Sequence, residues 1–252
     1  MTVLAPLAAP ADTLIERLAP RTRLVVALGC VLAITALATP GWSVAALAGA
    51  GALVLLARLQ PGAVARRLLR VEGFLVALLL LLPFTVPGEP LLAIGPLAAS
   101  REGLLRALLL VVKINACVLA CTALLGTLEP VRLGRALAGL GAPLRLVHLF
   151  LFVVRYVALF DAELHRLREA MRARGFVARS GRHGWRTLGN LAGMLLVRAL
   201  DRAERVDEAM RCRGFAGRLP LLAGERLAGR DLRFAGCAGA LALLLLAGDR
   251  LW

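Results

Sequence analysis

Long apolar stretches constrain this chain more than any other feature. Five of them approach the length of a membrane-crossing helix, at residues 24–39, 43–59, 71–87, 103–126 and 234–248. An apolar helix needs about 20 residues to cross the hydrocarbon core, and somewhat fewer where flanking side chains reach the interface. With a mean hydropathy of +0.78 over 252 residues, the chain is predicted to be an all-α integral membrane protein with about five transmembrane helices.

A sixth apolar stretch, residues 144–160 (LRLVHLFLFVVRYVALF), is ambiguous because it carries Arg145, His148 and Arg155. Charged groups are costly inside a bilayer. We expect this stretch to lie in the membrane interface or to pack on other helices.

The distribution of arginine predicts the orientation, because short loops rich in Lys and Arg stay in the cytoplasm. Seven arginines precede the first span or lie around the link from the second to the third: Arg17, Arg21, Arg23, Arg58, Arg66, Arg67 and Arg70. The prediction is a multi-pass protein of the cell (inner) membrane with a cytoplasmic N-terminus. Residues 1–126 hold four spans, 127–233 form a cytoplasmic or interfacial segment, and 234–252 hold the last span.

The first span could also be a secretory signal, because an apolar run follows Arg23 and ends at Ala36-Leu37-Ala38. The later spans favour an anchor that stays in place. The five cysteines lie mostly within spans or on the predicted cytoplasmic side, so no disulfide framework is expected.

One octapeptide occurs twice, as EAMRARGF at 169–176 and as EAMRCRGF 39 positions later. Each copy is typical of a helix end, with Gly175 or Gly214 just past the helix in the left-handed conformation. A methionine three residues inside the cap and a phenylalanine just beyond it supply the apolar contact of a Schellman cap.

Each octapeptide leaves an arginine, Arg174 or Arg213, at the negative end of a helix dipole. A guanidinium on a rigid tip suits a carboxylate on a partner protein, and two copies suggest two equivalent docking sites. On each helix surface the copy's glutamate lies three residues before an arginine and can pair with it. Two simpler interpretations are a well-capped surface helix and a repeat of about 40 residues, although solenoids need at least three repeats.

Residues 127–220 resemble the transmembrane T component of energy-coupling factor transporters, which are ATP-driven importers of vitamins and transition-metal ions. The resemblance rests on Ala173-Arg174-Gly175 and Cys212-Arg213-Gly214, which are similar to that family's paired Ala-Arg-Gly motifs, with Cys212 in place of alanine. It implies a subunit without catalytic residues, cofactor or bound metal. Its coupling helices would dock on two cytoplasmic ABC ATPase subunits, where Arg174 and Arg213 meet acidic residues. A separate membrane subunit would bind the substrate.

Within that family, EAMRCRGFAGRLP at 208–220 resembles the cobalt type, CbiQ. This resemblance implies a CbiO-like ATPase and CbiM- and CbiN-like substrate-side proteins, serving cobalt uptake for cobalamin biosynthesis. Nickel, or a vitamin such as biotin, remains the alternative substrate.

The same sequence bears on three other functions: an ATPase, an ion path and a metal site. An ATPase needs a lysine in a phosphate-binding loop, but the only lysine, Lys113, lies in the fourth span and precedes Ile114. Lys113 and Asn115 in a span could line an ion path, or could reach a protein-lined interface. Cys117 and Cys121, one helical turn apart, could contact a metal, but such cysteines usually act as small apolar residues.

Two further classes are a conventional ABC permease and a nucleic-acid-binding protein. A permease would carry one docking motif per chain, whereas this chain carries two. A net charge of +15 could indicate nucleic acid, yet acidic residues are interspersed among the arginines and no aromatic stacking platform accompanies them. Anionic membrane lipid explains the charge better, so no nucleic-acid partner is predicted.

Overall fold

A computed structural model describes residues 13, 15–85, 90–94, 97–177, 181–215 and 228–251. In these ranges the chain is helical apart from one short hairpin and the turns between elements, which confirms the all-α membrane fold class. The helices, in chain order, are α1 Pro20–Ala36, α2 Pro40–Leu56, α3 Pro61–Thr85, α4 Arg101–Leu125, α5 Pro130–Gly139, α6 Leu144–Ala173, α7 Arg182–Cys212 and α8 Gly229–Leu251. The predicted end of the third span at residues 86 and 87, and residues 216–220 of the second motif region, lie outside the described residues.

Prolines begin four of these helices, α1, α2, α3 and α5. Proline suits the first position of a helix because its fixed φ is already helical and the missing N–H would have no partner there. A serine begins α4 instead, since the Ser100 hydroxyl accepts a hydrogen bond from the Gly103 amide at 3.1 Å. Local sequence therefore explains where most of the membrane helices start.

Three helices, α3, α4 and α8, are long and apolar enough to cross a membrane, and α2 is a shorter apolar helix. Both α1 and α2 have 17 residues. Helix α1 stops at Ala36 rather than running to residue 39. The next residue, Leu37, is already extended, and Pro40 starts α2 three residues later. That α1 and α2 also cross remains a prediction.

A hairpin follows α3, in the link between the third and fourth predicted spans, where no strand was predicted. Strands β1, Pro90–Ile94, and β2, Leu97–Ser100, pair antiparallel with an irregularity between Pro90 and Leu92. Proline cannot donate an N–H to the ladder, and it is tolerated at the first residue of β1 because no donor is needed there.

Contacts divide the chain into two compact units. The larger, the membrane unit, comprises residues 3–136 and 225–252, and the smaller, the α6–α7 unit, comprises 137–224. The membrane unit thus joins helices from the first and last predicted segments, with α8 packed on α1 and α2. The functional division at residues 126 and 233 stays a prediction.

In the membrane unit, α4 is the central helix and packs against α1, α2 and α3. Its contact face is built from small side chains that are at most 1% exposed, at Ala107, Ala116, Ala120 and Ala123. Small residues let helix backbones approach closely, which is how helices associate in lipid without a hydrophobic driving force.

Two aspartates of α8 join it to α1. Asp231, at the start of α8, accepts a hydrogen bond from the Ala19 amide at 2.9 Å, and Asp249, near its end, accepts from the Ala38 and Thr39 amides at 2.8 Å. The starts of the two helices therefore lie together, as do their ends, so α1 and α8 run parallel.

The end of α4 lies beside the beginning of α1. Arg23 is 3% exposed, and it donates to the Leu124 carbonyl at 2.8 Å and to the Thr127 hydroxyl. Since α8 begins beside Ala19, α4 ends and α8 begins at the same end of the membrane unit.

Candidate functional site

The first octapeptide ends α6 in a Schellman cap. Gly175 has a φ of +78°. Its amide donates to the Arg172 carbonyl at 2.9 Å, and the Phe176 amide donates to the Met171 carbonyl at 3.0 Å. These two bonds define the motif and satisfy carbonyls that the helix end would otherwise leave without partners.

The second octapeptide repeats this geometry at the end of α7. Gly214 has a φ of +76°, and its amide lies 2.9 Å from the Arg211 carbonyl, while the Phe215 amide lies 3.0 Å from the Met210 carbonyl. The predicted cap is therefore confirmed in both copies, with the glycine at the predicted position.

Backbone conformation, and not crowding, explains the glycines. A Cβ built on Gly175 or on Gly214 would meet no atom within 4 Å. The left-handed region costs a residue with a Cβ roughly 1–2 kcal/mol. Glycine is the residue that adopts it without this cost.

The six residues of the candidate site all lie at these helix ends and are all exposed: Ala173, Arg174, Gly175, Cys212, Arg213 and Gly214. Within the described ranges, the side chains of Arg174 and Arg213 make no hydrogen bond or ion pair. Each guanidinium therefore keeps its full set of donors for a ligand outside the chain. Its place at a helix C-terminus is favourable for a cation.

The ion pairs that the octapeptides allow do not form in the described residues. Arg211 pairs with Asp207 at 2.7 Å, one residue earlier than the expected Glu208. No pair between Glu169 and Arg172 forms in the part of the chain that the structure describes. Residues three and four apart are both neighbours on a helix surface, and near the end of α7 the acid four residues before Arg211 is the one that pairs with it.

The ambiguous stretch 144–160 is the first half of the helix that carries the first tip. Helix α6 runs without a break for 30 residues from Leu144 to Ala173, which corresponds to about 45 Å. An ion pair from Glu163 of α6 to Arg198 of α7 links the two helices, and Arg166, also on α6, lies 3.9 Å from the same carboxylate. Both tips thus sit on long helices that pack in one unit.

A groove between α6 and α7, with a volume of about 720 Å³, reaches the second tip. Arg213, Gly214 and Phe215 line one part of it, and Phe152 and Tyr156 of α6 line another. No sequence pattern predicted this groove. It depends on residues about 60 positions apart in the chain, and only the spacing of aromatic residues along α6 points to one of its walls.

The polar residues of the fourth span serve contacts within the membrane unit. Lys113 donates to the Leu37 carbonyl and, at 3.3 Å, to the Thr35 carbonyl, so it satisfies the C-terminal end of α1. Asn115 donates to a Glu72 carboxylate oxygen at 3.2 Å. Lys113 thus reaches a protein-lined interface, which is the second of the two interpretations.

Cys117 and Cys121 lie on α4 and are half-buried. Among the described residues, no three His, Cys, Asp or Glu side chains are grouped so that they could hold a metal ion. Burial of a thiol in an apolar helix surface is the usual behaviour of cysteine as a small hydrophobic residue.

Two comparisons with known proteins cover most of the chain. Residues 11–221 match the family described as CbiQ, cobalt transport protein, and this range includes both arginine tips. The energy-coupling factor transporter transmembrane protein EcfT of Leuconostoc gelidum subsp. gasicomitatum is 28% identical over 220 residues, which cover 82% of this chain and 81% of that protein.

Proposed function

Because the chain belongs to the CbiQ family of cobalt transport proteins, we propose that it couples two cytoplasmic ABC ATPase subunits to a separate substrate-binding membrane subunit. It is a membrane subunit of the T-component type. The observation that carries the coupling role is the pair of identical caps, each presenting an exposed arginine at the end of a long helix. The ATPases hydrolyse ATP, and this chain transmits their movement.

The chemistry of each tip suits this task. Arg174 and Arg213 would each bind a carboxylate on an ATPase through two parallel hydrogen bonds, which lysine cannot form. Because a Schellman cap fixes the backbone around the arginine, displacement of that carboxylate moves the whole helix instead of bending a loop. Closure of the two ATPases would then pull on α6 and α7 at their ends.

The membrane unit supports a cytoplasmic location for the tips. Helix α4 ends and α8 begins at the end of this unit where α1 begins, and the positive-inside bias favours the cytoplasm for that end. Both connections to residues 137–224 therefore start on the cytoplasmic side of the cell (inner) membrane.

The proposed substrate is the cobalt ion, taken up for cobalamin biosynthesis with CbiM- and CbiN-like substrate-side proteins and a CbiO-like ATPase. The description of the matching family supports cobalt. Nickel, or a vitamin such as biotin, is the competing cargo, and uptake assays with each distinguish them.

Co-purification from membranes tests the coupling role. Arg174→Ala and Arg213→Ala should each weaken retention of the ATPases by about 2 kcal/mol or more, the scale of an interface hot spot, because each removes the guanidinium that the partner carboxylate faces. Arginine-to-lysine variants should restore little, since an ammonium cannot replace the fork.

The matched controls are Arg172→Ala and Arg211→Ala, which remove the other arginine of each octapeptide. Both controls should retain the ATPases and insert normally. Equal retention by the tip variants, the controls and the wild type would refute the coupling role and leave the octapeptides as helix caps alone.

A further inference from the structure

The groove between α6 and α7 has two parts with different chemistry. One part, of about 500 Å³, is lined almost entirely by apolar side chains, among them Phe152, Val157, Phe160, Ala199 and Ala203. The other part adds four arginines to a lining that is otherwise mainly apolar: Arg155, Arg202, Arg205 and Arg213. Five residues line both parts, so the two are continuous. We call this surface the α6–α7 groove.

One wall of the groove is a row of aromatic side chains along α6. Phe152, Tyr156 and Phe160 follow one another at intervals of four residues, with ring centroids 6.3 Å apart in each successive pair. Such a row presents a continuous apolar surface on one side of the helix. Val153 and Val157 beside it are 50% and 40% exposed, so this wall is open to an apolar ligand.

The arginine part has a uniform charge. No acidic side chain lines the groove within the described residues. Three of its arginines, Arg155, Arg202 and Arg205, lie outside the two motifs, so the coupling role does not use them. Guanidinium groups gathered at one place bind phosphate groups well because the planar fork matches the phosphate oxygens.

The dimensions of the apolar part suit a slender ligand better than a whole partner helix. Phe152 and Phe160 are eight residues apart, or about 12 Å along the helix axis. A volume of about 500 Å³ over that length gives a mean cross-section of about 40 Å², roughly half that of a helix 10 Å across. An extended peptide is also a poor fit, because both walls are helices whose backbone groups are already paired.

We propose that the α6–α7 groove binds an anionic phospholipid. Arg155, Arg202 and Arg205 would hold the phosphate of the headgroup, and one acyl chain would lie along Phe152, Tyr156 and Phe160. The chain is a membrane protein, and the cytoplasmic leaflet, where its basic unit is proposed to lie, carries anionic lipid. The lipid would fill the space between the two helices that end in the docking tips.

Native mass spectrometry of the full chain, purified with its ATPases, tests this proposal by titration with dioleoyl phosphatidylglycerol or dioleoyl phosphatidylcholine. The wild type should bind the anionic lipid more tightly. The triple variant Arg155→Gln, Arg202→Gln, Arg205→Gln should lose about tenfold or more of that affinity, because it removes the charged hydrogen bonds to phosphate. Its affinity for the zwitterionic lipid should change little.

Two further variants separate the groove from general charge attraction. The control Arg145→Gln, Arg168→Gln, Arg186→Gln removes the same charge from exposed positions outside the groove and should keep the selectivity. Ala203→Trp should weaken binding of both lipids by filling the acyl-chain part.

Three results would overturn the proposal. The first is an equal loss of phosphatidylglycerol in both triple variants, which would indicate general charge attraction. The second is unchanged lipid binding in Ala203→Trp. The third is loss of the ATPases from the groove triple with lipid binding intact, which would make the groove a protein contact. Because Arg174 and Arg213 are intact in these variants, failure of the lipid site is distinguishable from failure of the coupling role.

Discussion

Alanine at Gly175 or Gly214 is the sharpest test of what fixes the backbone at the two arginine tips, Arg174 and Arg213. Both glycines are in the left-handed region, with φ of +78° and +76°, and a Cβ at either position would meet no atom within 4 Å. Steric crowding therefore contributes nothing to the expected effect. What remains is the conformational cost of a Cβ in this region, roughly 1–2 kcal/mol for each substitution.

The effect should be local to each cap. The Phe176 amide donates to the Met171 carbonyl, and the Phe215 amide to the Met210 carbonyl. If alanine raises the free energy of the closed cap by 1–2 kcal/mol, these amides should exchange roughly 5- to 30-fold faster with solvent deuterium. Retention of the ATPases should fall in parallel, because the arginine before each glycine loses its fixed direction.

Gly189→Ala and Gly193→Ala in the interior of α7 provide the controls, since a Cβ there also meets open space. Alanine is the better helix former by about 1 kcal/mol at such positions, so these variants should melt at a higher temperature in detergent. If amide exchange at Phe176 and Phe215 were unchanged in the cap variants, the left-handed glycines would not be what orders the tips.

Two substitutions probe the membrane unit. Gly103→Ala should cost about 1–3 kcal/mol of stability, because its Cβ would lie 2.8 Å from the Pro83 Cα and force α3 and α4 apart. The control Gly73→Ala should not lower the stability, because a Cβ there meets open space. Equal melting temperatures for the two variants would contradict this packing. Asp231→Ala should cost about 1–3 kcal/mol, because the carboxylate is 3% exposed and accepts the Ala19 amide; fast exchange at that amide would accompany the loss, and wild-type protection there would contradict it.

The parts of the fold that sequence predicted are those decided by a few adjacent residues. A Schellman cap needs only a methionine, a glycine and a phenylalanine at set spacing, and both copies form it as expected. Apolar stretches likewise predicted the long apolar helices α3, α4 and α8, because the length and composition of a segment decide whether it can cross a bilayer. Prolines at the first positions of α1, α2, α3 and α5 mark where these helices begin.

Features that depend on distant residues were missed. The β1–β2 hairpin forms between two short apolar segments that read as part of a link. Arg198 pairs with Glu163, 35 residues away, and no local pattern selects that partner. The same is true within one helix. On α7, Arg211 forms its ion pair with Asp207 and not with Glu208. Such pairs differ by little free energy on a surface, so sequence spacing alone does not decide between them.

The two tips share a backbone but not a setting. Both arginines follow an exposed residue and precede a left-handed glycine, so a carboxylate would meet the same donors at either one. Arg213, however, also lines the α6–α7 groove beside Phe215, whereas Arg174 does not. A ligand in that groove would touch the second tip alone. The repeated octapeptide therefore encodes two caps of the same geometry, and under the proposed coupling role the second tip is the one that a ligand in the groove can influence.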